Sequence, residues 1–424
     1  MKLTHVLALA FLSVGAVSGA AQTPNETPGK TRGRVVITDS MPPVRTASTP
    51  VPVPSATPII VGIHRGESAP AMPTPATGSA QNRTVSFGFI KSKIAEAKRE
   101  MQQRPLATAL SAPTDSAHPA DVVRIAFHDW KTSRIDFVTL TKDSFLSTAI
   151  DKAAISQNGR QLTIRTIRGN GVNTPITLTD EKGETELPLL VQYPVIRDGK
   201  YMETAYYMST HPGLVTSEVV NAGRYYVRNV IEIARERLRE KGILIQPKVA
   251  DIAERLAGVE HVDHTRFRNE FHQDIFNDIY TLYALNEGQT YRYSVSSAGA
   301  GGMVQMIPST YRMVRSWHPN VPLMPDFVEG MRNHVNASEA MLLYMQRTWN
   351  DLISSPTVAN AFSSGIATQE QLMAAGYNSN PAKIAGYINR GGENWTALIP
   401  NETKMYLQIF DSIEKFVPMT PRTR

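Results

Sequence analysis

The sequence predicts an α+β protein with several domains, because the residue pattern changes twice along its 424 residues. Up to about residue 120 the chain is rich in Pro, Ser and Thr. From 121 to about 210, runs of β-branched residues alternate with turn signals. From 211 to 424, apolar residues recur at helical spacing. We therefore expect a disordered Pro-rich N-terminus, a small antiparallel β domain and a mainly α C-terminal domain.

The first residues, Met1–Ala21, have the features of a secretory signal peptide. Lys2 supplies a positive charge, Val6–Val17 is apolar, and small residues follow. A retained membrane anchor is the alternative, but this run is shorter than the ~20 residues that span a bilayer. We expect cleavage near Ala21, no membrane span afterwards, and a protein exported to the periplasm, the cell envelope or the medium.

The segment 22–120 predicts a tether rather than a domain. Stretches such as T-P-V-P-V-P lack the apolar content that a packed core needs. One short amphipathic helix is predicted at Phe87–Gln103, with Ile90, Ile94 and Ala97 on one side. Because the rest is so rich in proline, we expect residues before about Asp121 to be dispensable for folding.

The β domain, 121–210, is predicted from four runs of branched and aromatic residues that begin at Val122, Arg134, Gln161 and Leu187. Turn signals such as N-G-R and E-K-G-E separate these runs, as antiparallel hairpins require. The segment contains no cluster of catalytic residue types. We therefore expect an interaction or positioning module, with an envelope protein as the partner.

The C-terminal part predicts a series of helices and a helical core. Ser217 is the expected N-cap of the first helix. The further predicted helices are Pro247–Leu256, Asn269–Leu285, Ser338–Leu352, Thr368–Ala375 and Thr403–Phe416. A group of methionines is predicted to fill this core rather than to form a binding surface, namely Met303, Met306, Met341 and Met345.

Composition excludes several classes of function. The net charge of +6 is spread along the chain without a dense basic run, so nucleic-acid binding is not expected. Without cysteine, the chain has no disulfide, thiol nucleophile or cysteine zinc site. His261, His264 and His272 match no standard zinc spacing and are predicted to surround a polar inter-helix turn. We expect neither a metal nor a cofactor.

The stretch from Glu287 to Tyr311 contains the candidate catalytic residue. Glu287 follows a predicted helix, which Gly288 is expected to end. The negative end of the helix dipole and apolar neighbours favour a protonated carboxyl, which is the form that a general acid needs. Downstream, Gly299 and Gly302 allow a tight turn that approaches a ligand closely.

This stretch resembles the motif of the soluble lytic transglycosylases, E-S-x-F-x-P-x-A-x-S-x-x-G-A-x-G-L-M-Q-x-x-P-x-T. The positions that match without a gap are Glu287, Ser296, Gly299, Ala300, Gly302, Gln305, Pro308 and Thr310. Two later stretches, A-G-Y-N-S-N-P and P-N-E-T-K-M-Y, are similar to the family's A-A-Y-N-A-G-P and P-x-E-T-x-x-Y. The chain departs from the family's residues at Gly288, Thr290, Arg292, Met303, Val304, Gly376 and Asn380.

The resemblance implies a lysozyme-like catalytic domain over 211–424 that acts on the glycan strands of peptidoglycan. It implies cleavage of the β-1,4 bond between N-acetylmuramic acid and N-acetylglucosamine, with formation of a 1,6-anhydro end. Glu287 would be the single acid and base. The implied substrate contacts are Ser296, Gln305, Tyr377 and Asn378, and the implied supporting residues are Glu402, Gly299 and Gly302.

Two other functions stay open on the sequence. One is a muramidase, which would hydrolyse the same bond on the same fold. The other is a non-catalytic protein that binds or assembles the cell wall, with the β domain as its working part. The products of a peptidoglycan digest distinguish all three.

Overall fold

A computed structural model describes residues 85–104, 106, 121–197 and 200–423. The predicted signal peptide, the tether up to residue 84 and the linker at 107–120 lie outside these described residues. The described part is a mixture of helices and antiparallel strands, so the predicted α+β class is confirmed. Within the described ranges, no helix combines the length and the apolar character needed to cross a membrane.

The strands form two antiparallel sheets. The four-stranded sheet has the order β2-β1-β6-β7, with β1 at Val122–Asp129, β2 at Arg134–Thr141, β6 at Leu187–Arg197 and β7 at Lys200–Tyr207. The three-stranded sheet has the order β3-β4-β5, at Lys152–Ile155, Gln161–Thr166 and Ile176–Asp180. Neighbouring strands pair antiparallel throughout.

The first helix, α1 at Phe87–Gln103, has the predicted bounds and covers one face of the four-stranded sheet. Its side chains Ile90, Ala97 and Met101 have no exposed surface. Since the other face of the sheet packs on the main core, every residue of β1 is buried. The apolar stripe of α1 is therefore part of the core, and whether the residues before Asp121 are dispensable for folding stays a prediction.

A short helix α2, Lys142–Leu146, lies between β2 and β3 in sequence. A helical region follows the last strand, β7. Its longer helices are α3 at Ser217–Glu240, α4 at Pro247–Val259, α6 at His272–Asn286, α9 at His334–Ser354 and α13 at Asn401–Phe416. Its shorter helices are α5 at His264–Asn269, α7 at Pro308–Trp317, α8 at Phe327–Arg332, α10 at Pro356–Ser363, α11 at Gln369–Asn378 and α12 at Ile384–Gly391.

Two details of the predicted helices are wrong. The helix predicted at Asn269–Leu285 begins at His272 instead, because the chain is extended at Glu270 and Phe271, and Asn269 is the last residue of α5. The N-cap of α3 is Thr216 rather than Ser217, since the Thr216 hydroxyl accepts the hydrogen bond from the Val219 amide.

The centre of the helical region is the close contact between α3 and α6. A Cβ atom added to Gly223 of α3 would lie 1.8 Å from the carbonyl oxygen of Tyr280 in α6, so only glycine allows this approach. The predicted methionine group is confirmed as core, with Met303 and Met341 fully buried. Side chains of both sheets join this same core, and whether the β region folds independently stays a prediction.

The chain after α13 runs back across α3 and α4 and is fixed there by Arg422. The Arg422 guanidinium pairs with Glu232 of α3, with Asp251 of α4 at 2.8 Å and with Glu254 of α4 at 2.7 Å. Only 3% of the Arg422 side chain is exposed. This terminal segment therefore fastens the two helices to each other.

Candidate functional site

One cavity brings together the substrate contacts that the sequence predicted. It is lined by Ser296 and Gln305, which belong to the turn around Gly299 and Gly302, called the glycine turn below. It is also lined by Tyr377 and Asn378 from the end of α11. Tyr406 of α13 lines it as well, so all three sequence motifs reach the same space. These motifs are far apart in the chain, and only the tertiary fold makes them neighbours.

The glycine turn forms one wall of this cavity. The Ser296 hydroxyl accepts hydrogen bonds from the amides of Ala298 at 3.3 Å and Ala300 at 3.0 Å, which close the turn. Gly302 has φ +66°, and a Cβ atom there would lie 2.3 Å from the carbonyl oxygen of Met331. Glycine at this position is therefore a steric requirement, as the predicted supporting role of Gly302 needs.

Gln305 lines the cavity, and its backbone is strained. Its φ of +46° is unusual for a residue with a side chain and costs of the order of 1–3 kcal/mol. The side-chain amide donates to the carbonyl of Gly302 at 2.8 Å and to the Ser294 hydroxyl at 3.3 Å. These two bonds fix the amide, and strain of this kind is typical of positions that serve a ligand.

Tyr377 and Asn378 form the opposite wall. The Tyr377 hydroxyl donates to the carbonyl of Val304 at 2.6 Å, which ties α11 to the glycine turn. Burial raises the pKa of Tyr377 well above its ordinary value, and the charge of Glu260 adds to this, so the phenol stays neutral. Asn378 accepts from the Thr403 hydroxyl at 2.9 Å, which joins the second motif to the third.

Glu402 lies in the first turn of α13, as predicted, where the helix dipole favours a carboxylate. It is not among the described residues that line the cavity. Its neighbour Thr403 is the residue that bonds to Asn378 of the cavity wall. The supporting role predicted for Glu402 would therefore act through α13 rather than by contact with a ligand.

Glu287 lies outside the cavity. It is not among the described residues that line it. The helix α6 ends one residue before it, and Glu287 itself takes φ +45°, so the prediction that Gly288 ends the helix is wrong. About a third of its side chain, 36%, is exposed, and its carboxylate pairs with Lys91 of α1 at 2.7 Å. An ion-paired, partly exposed carboxylate differs from the desolvated acid that the sequence predicted.

Glu260 is the residue that sequence reasoning missed. It caps the C-terminal end of α4 and lines the cavity. The Tyr406 hydroxyl donates to its Oε1 atom at 2.6 Å. The available signal was the one used for Glu287, since a run of apolar residues at helical spacing also ends at Glu260.

The three histidines near Glu260 have different positions in the fold. His261 stacks on Tyr291 and donates from Nε2 to the carbonyl of Met303 at 3.0 Å, and burial lowers its pKa to about 3. His272 bonds to the Ser412 hydroxyl at 2.8 Å. His264 begins α5 and lines the cavity. The described residues contain no group of three or more ligands suited to a metal ion.

Comparison of the chain with protein-family models, with curated proteins and with solved structures gave no match. The arguments for a function therefore come from the cavity and from the three motifs that line it.

Proposed function

We propose that this chain is a peptidoglycan lytic transglycosylase with a lysozyme-like catalytic region at 211–424. The observation that carries this proposal is the convergence of three motif segments on one cavity, at Ser296 and Gln305, at Tyr377 and Asn378, and at Tyr406. Short motifs matched by chance would have no reason to share a cavity, because each is read from sequence spacing alone.

The lining of the cavity suits an uncharged sugar. The hydroxyl of Ser296 and the amides of Gln305 and Asn378 offer donors and acceptors to hydroxyl and acetamido groups. Tyr344 and Tyr377 add aromatic surface. A cavity with aromatic walls and a few fixed polar groups is the usual form of a small-molecule site.

The number of carboxylates favours the lytic mechanism. Most glycosidases use two carboxyl groups across the scissile bond. Glu260 is the one carboxylate among the described residues that line this cavity. A single carboxyl is sufficient for a transglycosylase, because the substrate's own acetamido group stabilises the cationic centre in place of the second.

The proposed reaction uses one carboxyl group for two successive proton transfers. The carboxylic acid protonates the glycosidic oxygen, and the bond to N-acetylglucosamine breaks as the acetamido oxygen stabilises the muramoyl C1. The resulting carboxylate then takes the proton of the C6 hydroxyl, whose oxygen bonds to C1 and closes the 1,6-anhydro ring. No water is consumed and the carboxyl returns to its starting form.

Peptidoglycan lies outside the cytoplasm, so the proposed enzyme would have to be exported, and the signal peptide stays a prediction of the sequence. An envelope protein that binds the β region stays a prediction. The two alternatives are the muramidase, which would need a water molecule in the second step, and the non-catalytic wall-binding protein.

A digest of purified sacculi tests the proposal. We expect soluble fragments whose muramoyl ends are lighter by one water than hydrolytic products, measured by mass spectrometry, with heat-denatured protein as the control. Reducing muramic acid ends would support the muramidase instead. Sedimentation with sacculi without release of fragments would support the wall-binding protein.

A further inference from the structure

We infer that Glu260, rather than Glu287, is the carboxyl group that transfers the proton in this cavity. This inference rests on the proposed function and deepens it. The motif spacing selects Glu287, and the geometry selects Glu260, because only one of these two carboxylates lines the cavity that holds Ser296, Gln305 and Tyr377.

The backbone holds Glu260 firmly at this position. Its amide donates to the carbonyl of Leu256 at 3.0 Å, so the residue continues the last turn of α4. Val259 and Val262 on either side are buried, with 2% and 1% exposed. A carboxyl that follows a packed helix end and is flanked by buried residues has little freedom to leave the cavity wall.

The side chain of Glu260 is oriented by a neighbour from a distant helix. Tyr406 of α13 is 4% exposed, and its hydroxyl donates to Oε1 of Glu260 at 2.6 Å. This bond fixes the plane of the carboxyl group relative to the cavity. Tyr377 lines the same cavity, and the negative charge of Glu260 helps to raise the pKa of its phenol. The bond from Tyr406 gives the acid a fixed orientation, which is the preorganisation that proton transfer needs.

Glu287 has a different environment, because its side chain contacts α1 and not the cavity. Its carboxylate pairs with Lys91, and the nearby amide of Phe87 donates to Glu218 of α3 at 2.8 Å. The Lys91 and Glu287 side chains are 53% and 36% exposed, so their ion pair contributes little stability. The buried apolar face of α1 supplies most of the attachment.

The intervening helices explain how a motif can match at the wrong carboxylate. Along the chain, the helices α5 and α6 separate Glu260 from the glycine turn. A motif with fixed spacing finds an acid nine residues before Ser296, and that acid is Glu287, the residue that follows the end of α6. The end of α4, which is remote in sequence, is the helix end that meets the turn at the cavity.

The test compares Glu260→Gln with Glu287→Gln, which are identical substitutions at the two candidate positions. Both variants and the wild type digest sacculi, and mass spectrometry measures the rate of release of each product. We expect Glu260→Gln to lose about 10²–10⁴-fold or more, because it has no proton to transfer. Glu287→Gln should cleave at the wild-type rate, and circular dichroism should show that both variants are folded.

If Glu260→Gln does not fold, Glu260→Asp replaces it. Aspartate keeps the acid but withdraws it by one methylene, and a displacement of about 1 Å from a productive geometry can cost ~10²-fold. A rate for Glu260→Asp equal to that of the wild type would overturn the inference.

The outcomes separate this inference from the proposed function. An active wild type whose cleavage survives Glu260→Gln, or is lost in a folded Glu287→Gln, overturns the inference and leaves the function standing. If the wild type produces reducing muramic acid ends, the protein is a muramidase and the proposed lytic function is overturned. The same pair of variants still identifies the acid in that case. A wild type that releases no fragment overturns the function, and the inference is then overturned with it.

Discussion

Replacement of Arg422 by methionine should destabilise the whole fold. The guanidinium neutralises Asp251 and Glu254, whose side chains are only 5% and 10% exposed. Methionine has a similar length, so the packing is largely kept while the charge is lost. Removal of one partner from a buried ion pair lowers the free energy of unfolding by about 3–5 kcal/mol, because the remaining charge is uncompensated.

Thermal unfolding followed by circular dichroism measures this cost. At about 2 °C per kcal/mol for a large chain, the melting temperature should fall by roughly 6–10 °C. The matched control is Arg312→Met on α7, where the arginine is exposed and the change should stay within about 0.5 kcal/mol.

The deficit of Arg422→Met should also depend on pH. Burial raises the pKa of Glu254, and Arg422 opposes that rise, so the variant should raise it further. When the pKa of Glu254 is raised in the folded state, its protonated carboxyl contributes fully to the free energy of unfolding below the ordinary carboxyl pKa. This contribution is lost as the pH rises through the raised pKa. The deficit should therefore be largest near neutral pH and shrink in acid. A melting temperature equal to that of the control, or a deficit that does not change with pH, would refute this reasoning.

Two further predictions concern the glycine turn and α1. Gly302→Ala should destabilise the protein more than Gly365→Ala in urea unfolding, because both glycines have positive φ but only at Gly302 would the new Cβ meet backbone, 2.3 Å from Met331. Equal losses would show that the turn can relax. A chain beginning at Asp121 lacks α1 and should melt below one beginning at Val85, since burial of each large apolar side chain contributes about 1.5–3 kcal/mol before the entropy of ordering is subtracted. Equal melting temperatures would show that α1 does not stabilise the fold.

Patterns that repeat within one element could be predicted from the sequence. The stripe of α1 gave the helix its observed bounds, Phe87–Gln103. The strands that begin at Val122 and Leu187 also match, because each is rich in branched residues and buried in the sheet. The strands missed were β3, Lys152–Ile155, β5, Ile176–Asp180, and β7, Lys200–Tyr207. In β3, four residues with mixed burial are too few to establish a two-residue period.

The walls of the candidate site could be predicted, and the carboxyl group that lines it could not. Ser296, Gln305 and Tyr377 lie in short motifs whose residues are close in sequence, and all of them line the cavity. Glu260 and Glu287 each follow an amphipathic helix, so local spacing cannot choose between them. That choice depends on which helix end packs beside the glycine turn, and this is decided by tertiary contacts.

The hydrogen bond between Glu260 and Tyr406 has a consequence for when the cavity comes into existence. The two residues are 146 positions apart in the chain. Closure of so long a loop is entropically unfavourable and tends to occur late in folding, after local helices have formed. A nascent or partly unfolded chain therefore contains the helices without the assembled cavity. The proposed activity would therefore begin only after α13 has docked.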